Sequence, residues 1–194
     1  MQAPSDITVF IGRFQPFHNG HLCIVRQALG MAQRVVMVLG SSYASSSRKN
    51  PFSWQERAAL VQQALSPAER ARVDFLPLHD YRDDSQWVQA VRAGVHQLAQ
   101  QQLGLNVPRV ALIGHFKDDS SYYLRYFHEW KLVSVPRNSP IDASHIRNAW
   151  LASTMENMPA TLAAFADDAP ASTLQFLLDW SRTPAFAALQ QQAL

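Results

Sequence analysis

The segment Arg34 to Gly40, R-V-V-M-V-L-G, narrows the folds open to this chain more than any other stretch. It is a continuous apolar run, too short for a helix and bounded by glycine. That is the pattern of a strand buried on both faces, which belongs in a parallel sheet covered by helices. The run Thr8 to Ile11, β-branched and aromatic, reads as an earlier strand parallel to it. Further strands are expected near Arg72–Leu78, Arg109–Gly114 and Lys131–Val135. Between them the spacing predicts helices from Gly20 to about Gln33, near Ser53–Leu65, near Ser85–Leu103 and around Ser120–Trp130. The first of these has Leu22, Val25, Leu29 and Ala32 on one face. Such alternation predicts an α/β fold, a doubly wound parallel sheet with right-handed crossovers. From Leu151 onward the pattern is all helical: Pro170–Ser181 has a strong apolar face, and Thr183-Pro184 opens a last helix. We therefore expect one domain over residues 1–150 and a helical extension, 151–194, packed on it.

In doubly wound sheets, ligands bind outside the carboxyl ends of the strands. That rule gathers Gly12–His21, Gly40–Asn50, Leu78–Trp87 and Gly114–Asp119 on one edge. The first of these segments is the most informative. After the strand ends at Gly12, an irregular loop carries Arg13, Gln15 and His18, and Gly20 stands at the start of a helix that also carries His21. Two imidazoles thus lie at a helix N-terminus, where free N–H groups and the helix dipole favour anions. Imidazoles can donate to phosphate oxygens there. The string is neither a Walker A loop nor G-x-G-x-x-G.

The other edge segments add polar groups. Small hydroxyl residues precede Arg48, whose guanidinium can fork onto phosphate oxygens. Ser53 and Glu56 form a capping box, a structural feature. Asp80, Asp83 and Asp84 precede Trp87; they can complement a helix dipole or line a site. Gly114 permits close backbone approach to a ligand, and Lys117 adds charge nearby. Asp142 can cap a helix whose first turn holds Ser144, with Arg147 on the same face. That makes a second helix N-terminus suited to phosphate.

Bulk properties exclude several classes. Of 194 residues, 47% are hydrophobic and 16% charged, with net charge +2, which is globular and argues for neither nucleic acid nor an anionic membrane as partner. The single cysteine, Cys23, excludes an internal disulfide, fits a reducing compartment, and is expected as a packed core thiol. No apolar run approaches the roughly 18 residues of a membrane span and no leader pattern is evident, so a cytoplasmic protein is expected.

The string G-R-F-Q-P-F-H-N-G-H resembles the nucleotidyltransferases with an H-x-G-H signature, and more narrowly the nicotinamide mononucleotide adenylyltransferases of archaeal type and those fused to a Nudix hydrolase. N-P-F-S-W-Q-E-R, I-G-H-F-K-D-D-S-S-Y-Y-L and, about 125 residues after H-x-G-H, I-D-A-S-H-I-R resemble further segments of that family. The resemblance spans about residues 7–150; the tail resembles the connector to a Nudix domain, and no Nudix box occurs in the sequence. It implies a Rossmann-like nucleotidyltransferase fold and Mg²⁺-dependent transfer of the adenylyl group of ATP to nicotinamide mononucleotide, giving NAD⁺ and pyrophosphate. The Mg²⁺ would be held mainly through ATP phosphates, with no dedicated protein ligands. The implied catalytic set is His18, His21, Arg13 and Arg48. ATP and its phosphates would be bound by Gly12, Phe14, Gly20, Gly114, Lys117, Ser144, Ile146 and Arg147. The nicotinamide nucleotide would meet Trp87, Asp84 and Asp80, with Trp87 stacked on the pyridinium. Relatives assemble as homo-oligomers, and that is expected here. Two alternatives stay open: another phosphorylated acceptor, such as phosphopantetheine, or a nucleotide-binding sensor without catalysis.

Overall fold

The computed structural model describes residues 4–115, 125–136 and 142–192. The chain forms two compact units, neither of them contiguous in sequence. The first comprises Met1–Gly12, Cys23–Tyr43 and Pro67–Arg137; the second comprises Arg13–Leu22, Ala44–Ser66 and Asn138–Leu194.

The first unit is built on five parallel strands, β1 (Ser5–Gly12), β2 (Ala32–Leu39), β3 (Val73–Pro77), β4 (Val110–Gly114) and β5 (Lys131–Ser134), in the order β3-β2-β1-β4-β5. The order reverses direction beside β1, the topological switch point of doubly wound sheets. The expected strand Arg34–Gly40 is β2, and Val35 to Leu39 are all buried, as a strand covered on both faces requires. In register, Gly12 lies beside Leu39 and Leu39 beside Pro77, so these strands end together. Charged pairs pin the margins. Arg34 donates twice to the Asp74 carboxylate across β2 and β3, at 2.7 and 3.0 Å. Arg109 grips Asp6 at 2.7 Å, and that guanidinium holds the Asp6 carboxyl below the usual range against the opposing effect of burial.

Among the described residues, three helices lie wholly or partly in this unit: α1 (Asn19–Met31), the single turn α3 (Pro67–Arg70) and α4 (Asp84–Leu103). Valines 88, 91 and 95 and Ala99 of α4 bury one stripe against Ile7, Val9, Val36, Val38 and Leu112 of the sheet. Asp83 caps α4 by accepting from the Ser85 N–H, and Gly104 ends it at φ 67°, a left-handed conformation suited to glycine. Three expectations need correction. Cys23 is exposed, not packed, because α1 buries Ile24, Val25, Ala28 and Leu29, and Cys23 lies about 200° around the helix from Val25. Ala32 is the first residue of β2, not part of the α1 face. Of the helix expected over Ser120–Trp130, the start lies outside the described residues, and Arg125–Trp130 form a short 3₁₀ turn followed by a hydrogen-bonded turn.

The second unit is helical: α2 (Trp54–Ala64), α5 (Ala143–Ala152), α6 (Met158–Ala163), α7 (Ala171–Trp180) and α8 (Pro184–Gln191), with the Arg13–Leu22 segment. The Ser53–Glu56 capping box is present at α2, Asp142 caps α5 through the His145 N–H, and Thr183 caps α8 with Pro184 in its first turn. The core is aromatic. Phe52, Trp150, Phe176, Trp180 and Phe186 interlock with ring centroids 4.8 to 5.5 Å apart. The Trp150 and Trp180 indoles donate to the Leu177 carbonyl and the Glu56 carboxylate. Among the described residues no helix is long and apolar enough to cross a membrane.

Candidate active site

In the second unit, the apolar string F-Q-P-F holds one polar side chain, Gln15, which is 2% exposed. Its amide donates to the Phe52 carbonyl at 2.9 Å and accepts from the Phe52 N–H at 3.0 Å. Phe14 and Phe17 are buried beside it, and Phe14 adopts φ 52°, a left-handed turn that a non-glycine residue holds only where its surroundings enforce it. Arg57 is fully buried and donates to the Arg13 carbonyl at 2.7 Å, which fixes the loop's entry.

The histidines follow. The Gly20 N–H donates to His18 Nδ1 at 3.1 Å, and the His18 N–H donates to His21 Nδ1 at 3.3 Å. The two ring centroids are 3.6 Å apart. Because each Nδ1 is an acceptor, this hydrogen-bond pattern assigns the proton of each neutral ring to Nε2. Phe14 meets the His21 ring edge-on at 5.0 Å. A Cβ on Gly20 would come within 2.9 Å of His18 Cε1, so the glycine of H-x-G-H makes room for the first imidazole.

Arg147, on α5, reaches the same loop. It is buried, donates to the Gln15 carbonyl at 2.7 Å and to Ser144 Oγ at 3.1 Å, and its Nε is buried without a partner. Among the described residues no carboxylate forms an ion pair with it. Burial lowers its pKa most, the charge of Arg13 lowers it further, and Asp142 partly opposes them. A buried guanidinium whose charge is opposed by that of a second one can take an anion as partner. Ile146, by contrast, is fully buried in the aromatic core, so its side chain is a packing element. Arg48 is turned toward the end of α8, donating to the Leu189 and Gln190 carbonyls at 3.2 and 3.4 Å.

In the first unit, Gly12 and Gly114 end β1 and β4, and each carbonyl accepts a backbone N–H, from Gly40 and Val135 respectively. The Asp80 carboxylate accepts from Ser41 at 3.0 Å. Trp87 is half-buried and meets the Phe127 ring edge-on at 6.0 Å, while Asp84 lies exposed in the first turn of α4. Lys117 lies outside the described residues. Sequence reasoning leaves Gln15 and Arg57 without a role. The one available signal is a polar residue inside F-Q-P-F, which a buried turn tolerates only when both ends of its amide are satisfied.

Comparison with known proteins places these features in a family context. A family model described as cytidylyltransferase-like matches residues 9–149. The chain is 35% identical over 188 residues to a nicotinamide/nicotinic acid mononucleotide adenylyltransferase of Acinetobacter baylyi, covering 96% of this chain and 93% of that protein. A nicotinamide-nucleotide adenylyltransferase of Ignicoccus hospitalis is 37% identical over 89 residues, which are 45% of this chain and 52% of that protein. Among solved structures, a bifunctional NMN adenylyltransferase/ADP ribose pyrophosphatase from Francisella tularensis, complexed with AMP and a manganese ion, superposes with TM-score 0.76 at 29% identity. The match covers 96% of this chain and 52% of that one, so this chain spans about half the length of the bifunctional protein.

Proposed function

The chain belongs to the cytidylyltransferase-like family and, within it, to the mononucleotide adenylyltransferases, and on that premise we propose that it transfers the adenylyl group of ATP to nicotinamide mononucleotide, forming NAD⁺ and pyrophosphate. One observation carries the reading at the level of residues: the buried Arg147 guanidinium, its Nε without a hydrogen-bond partner and its charge opposed by that of Arg13, suits a polyphosphate.

The acceptor's phosphate oxygen attacks the α-phosphorus of ATP, a new P–O bond forms, and the bond to the β-phosphate oxygen breaks with its electron pair leaving on pyrophosphate. The nucleophile is already anionic, so no protein base is needed. Catalysis then consists of positioning and of stabilising negative charge. In this reading the Nε2–H groups of His18 and His21 donate to the oxygens of the transferring phosphorus. Arg13 neutralises the same group, and Ser144 with Arg147 holds the departing pyrophosphate. Arg48 joins the phosphates by leaving the α8 carbonyls. The half-buried indole of Trp87, with Asp80 and Asp84, receives the nicotinamide end.

We propose that Mg²⁺ is carried on phosphate oxygens and water, where it would screen their charge. We propose a cytoplasmic setting, which a free, exposed Cys23 fits, and a homo-oligomer.

The test is pyrophosphate release with ATP and Mg²⁺ and three acceptors: nicotinamide mononucleotide, its acid analogue and phosphopantetheine. Release with the first, and NAD⁺ as product, is expected. Release with phosphopantetheine alone would transfer the chemistry to another acceptor, and ATP binding without release would make the chain a sensor.

A further inference from the structure

Asn19, the variable residue of H-x-G-H, makes contacts that phosphate chemistry does not require. Its N–H donates to the Asp168 carbonyl at 2.8 Å, and its side-chain amide donates to the Asp167 carbonyl at 2.9 Å. Both acceptors lie in the turn between α6 and α7, about 150 residues away along the chain and within the same unit. That turn is rigid. Phe165 accepts the Asp168 and Ala169 N–H groups, at 2.9 and 3.1 Å, and the Phe165 and Ala169 side chains are buried in the aromatic core. Phe165 also meets the His145 ring edge-on at 5.8 Å, and His145 sits on α5 between Ser144 and Arg147. One short turn therefore touches both anion-holding elements.

The position of Asn19 matters because of its successor. The Gly20 N–H is the donor that holds His18 Nδ1 as an acceptor and so keeps the ring's proton on Nε2. The His18 N–H does the same for His21. A helix start free to shift by a fraction of an ångström would loosen both bonds, and both rings would lose a fixed tautomer. Small misplacements of this kind cost orders of magnitude in reactions that depend on alignment.

We infer that Asn19 is a positioning residue: the Asp167–Asp168 carbonyls anchor it, and through it the C-terminal helices set the orientation and tautomer of His18 and His21. The inference rests on the adenylyl-transfer reading for its kinetic consequence only.

The test compares the full-length parent with Asn19→Asp, which points an acceptor at the Asp167 carbonyl, with Asn19→Ala, and with Asn19→Gln, which retains an amide donor. Two readouts are taken: steady-state kinetics, and ¹⁵N–¹H correlation spectra of the imidazoles. Asn19→Asp and Asn19→Ala are expected to lower kcat about ten-fold with KM for both substrates within about three-fold. The His18 and His21 signals should pass from the Nε2–H pattern to a tautomer mixture. Asn19→Gln should regain most of both, and Asp167→Ala, which keeps the carbonyl, should leave kcat within about two-fold. Parent-like tautomers in Asn19→Asp would overturn the inference, as would equal losses in the Asp and Gln variants or an Asp167→Ala loss as large as theirs. If the parent turned over no acceptor, the adenylyl-transfer reading would fail by itself, and the tautomer spectra would still decide the role of Asn19.

Discussion

Replacing Gln15 by leucine probes the loop at its most constrained point. The two side chains are similar in volume, so packing among Phe14, Pro16 and Phe17 is largely kept. What is lost is the pair of hydrogen bonds to the Phe52 backbone, at 2.9 and 3.0 Å, where Phe52 is only 3% exposed. An N–H and a carbonyl are then left buried and unpaired, at about 1–3 kcal/mol each. Burying leucine in place of an amide returns roughly 1 kcal/mol, so the net loss is about 3 kcal/mol. For a chain of this size that lowers Tm by roughly 6–12 °C. Urea unfolding at neutral pH should show a lower midpoint with an unchanged slope, and the Phe52 amide should lose protection from hydrogen exchange. A loss under about 1 kcal/mol, with Phe52 still protected, would mean that the clasp does not hold the loop and that the reasoning is wrong.

Three further outcomes are expected. His21→Ala should lower turnover on the order of 10²-fold with the fold intact, the scale of losing one donor to a transition state; a loss of only a few-fold would remove His21 from the mechanism. Trp87→Ala should raise KM for nicotinamide mononucleotide far more than for ATP, and equal effects would point away from a nicotinamide site on α4. The Asp6 carboxylate, held below its ordinary pKa by Arg109, contributes stability that is whole well above the unfolded value near 3.9 and is lost as pH falls through the lower folded value. Asp6→Asn should therefore be less stable than the parent at neutral pH, with the gap closing below about pH 4; a gap independent of pH would assign the effect to packing.

What could be read from the sequence was local. The strands announce themselves because a doubly covered strand needs a continuous apolar run, as in Val35–Leu39. The caps at Ser53, Asp142 and Thr183 rest on side chains that bond within three residues. The same logic fails where a partner is distant. Nothing near Arg48 says that its guanidinium meets carbonyls 141 and 142 residues further on. Nothing near Gln15 names Phe52. Cys23 was misjudged for a related reason: its flanking apolar residues suggest burial, but the side of a helix that faces inward is set by its whole stripe, centred here on Val25 and Ala28. Ile146 shows the converse, a motif position whose side chain serves the core.

The interleaving of the two units has a consequence for how the protein is made. Arg13–Leu22 leaves a ribosome well before Asn138–Leu194, which belongs to the same unit. The turn that receives Asn19 therefore follows the histidine loop by more than a hundred residues of synthesis, long after Phe52 and Arg57, which bond Gln15 and Arg13, have arrived. Chain growth is slow compared with loop motion, so a nascent or prematurely ended chain holds the signature residues but not the neighbours that order them. On the proposed reading, phosphate binding is acquired only once Asn138–Leu194 has been made, and a product stalled before that segment is inactive.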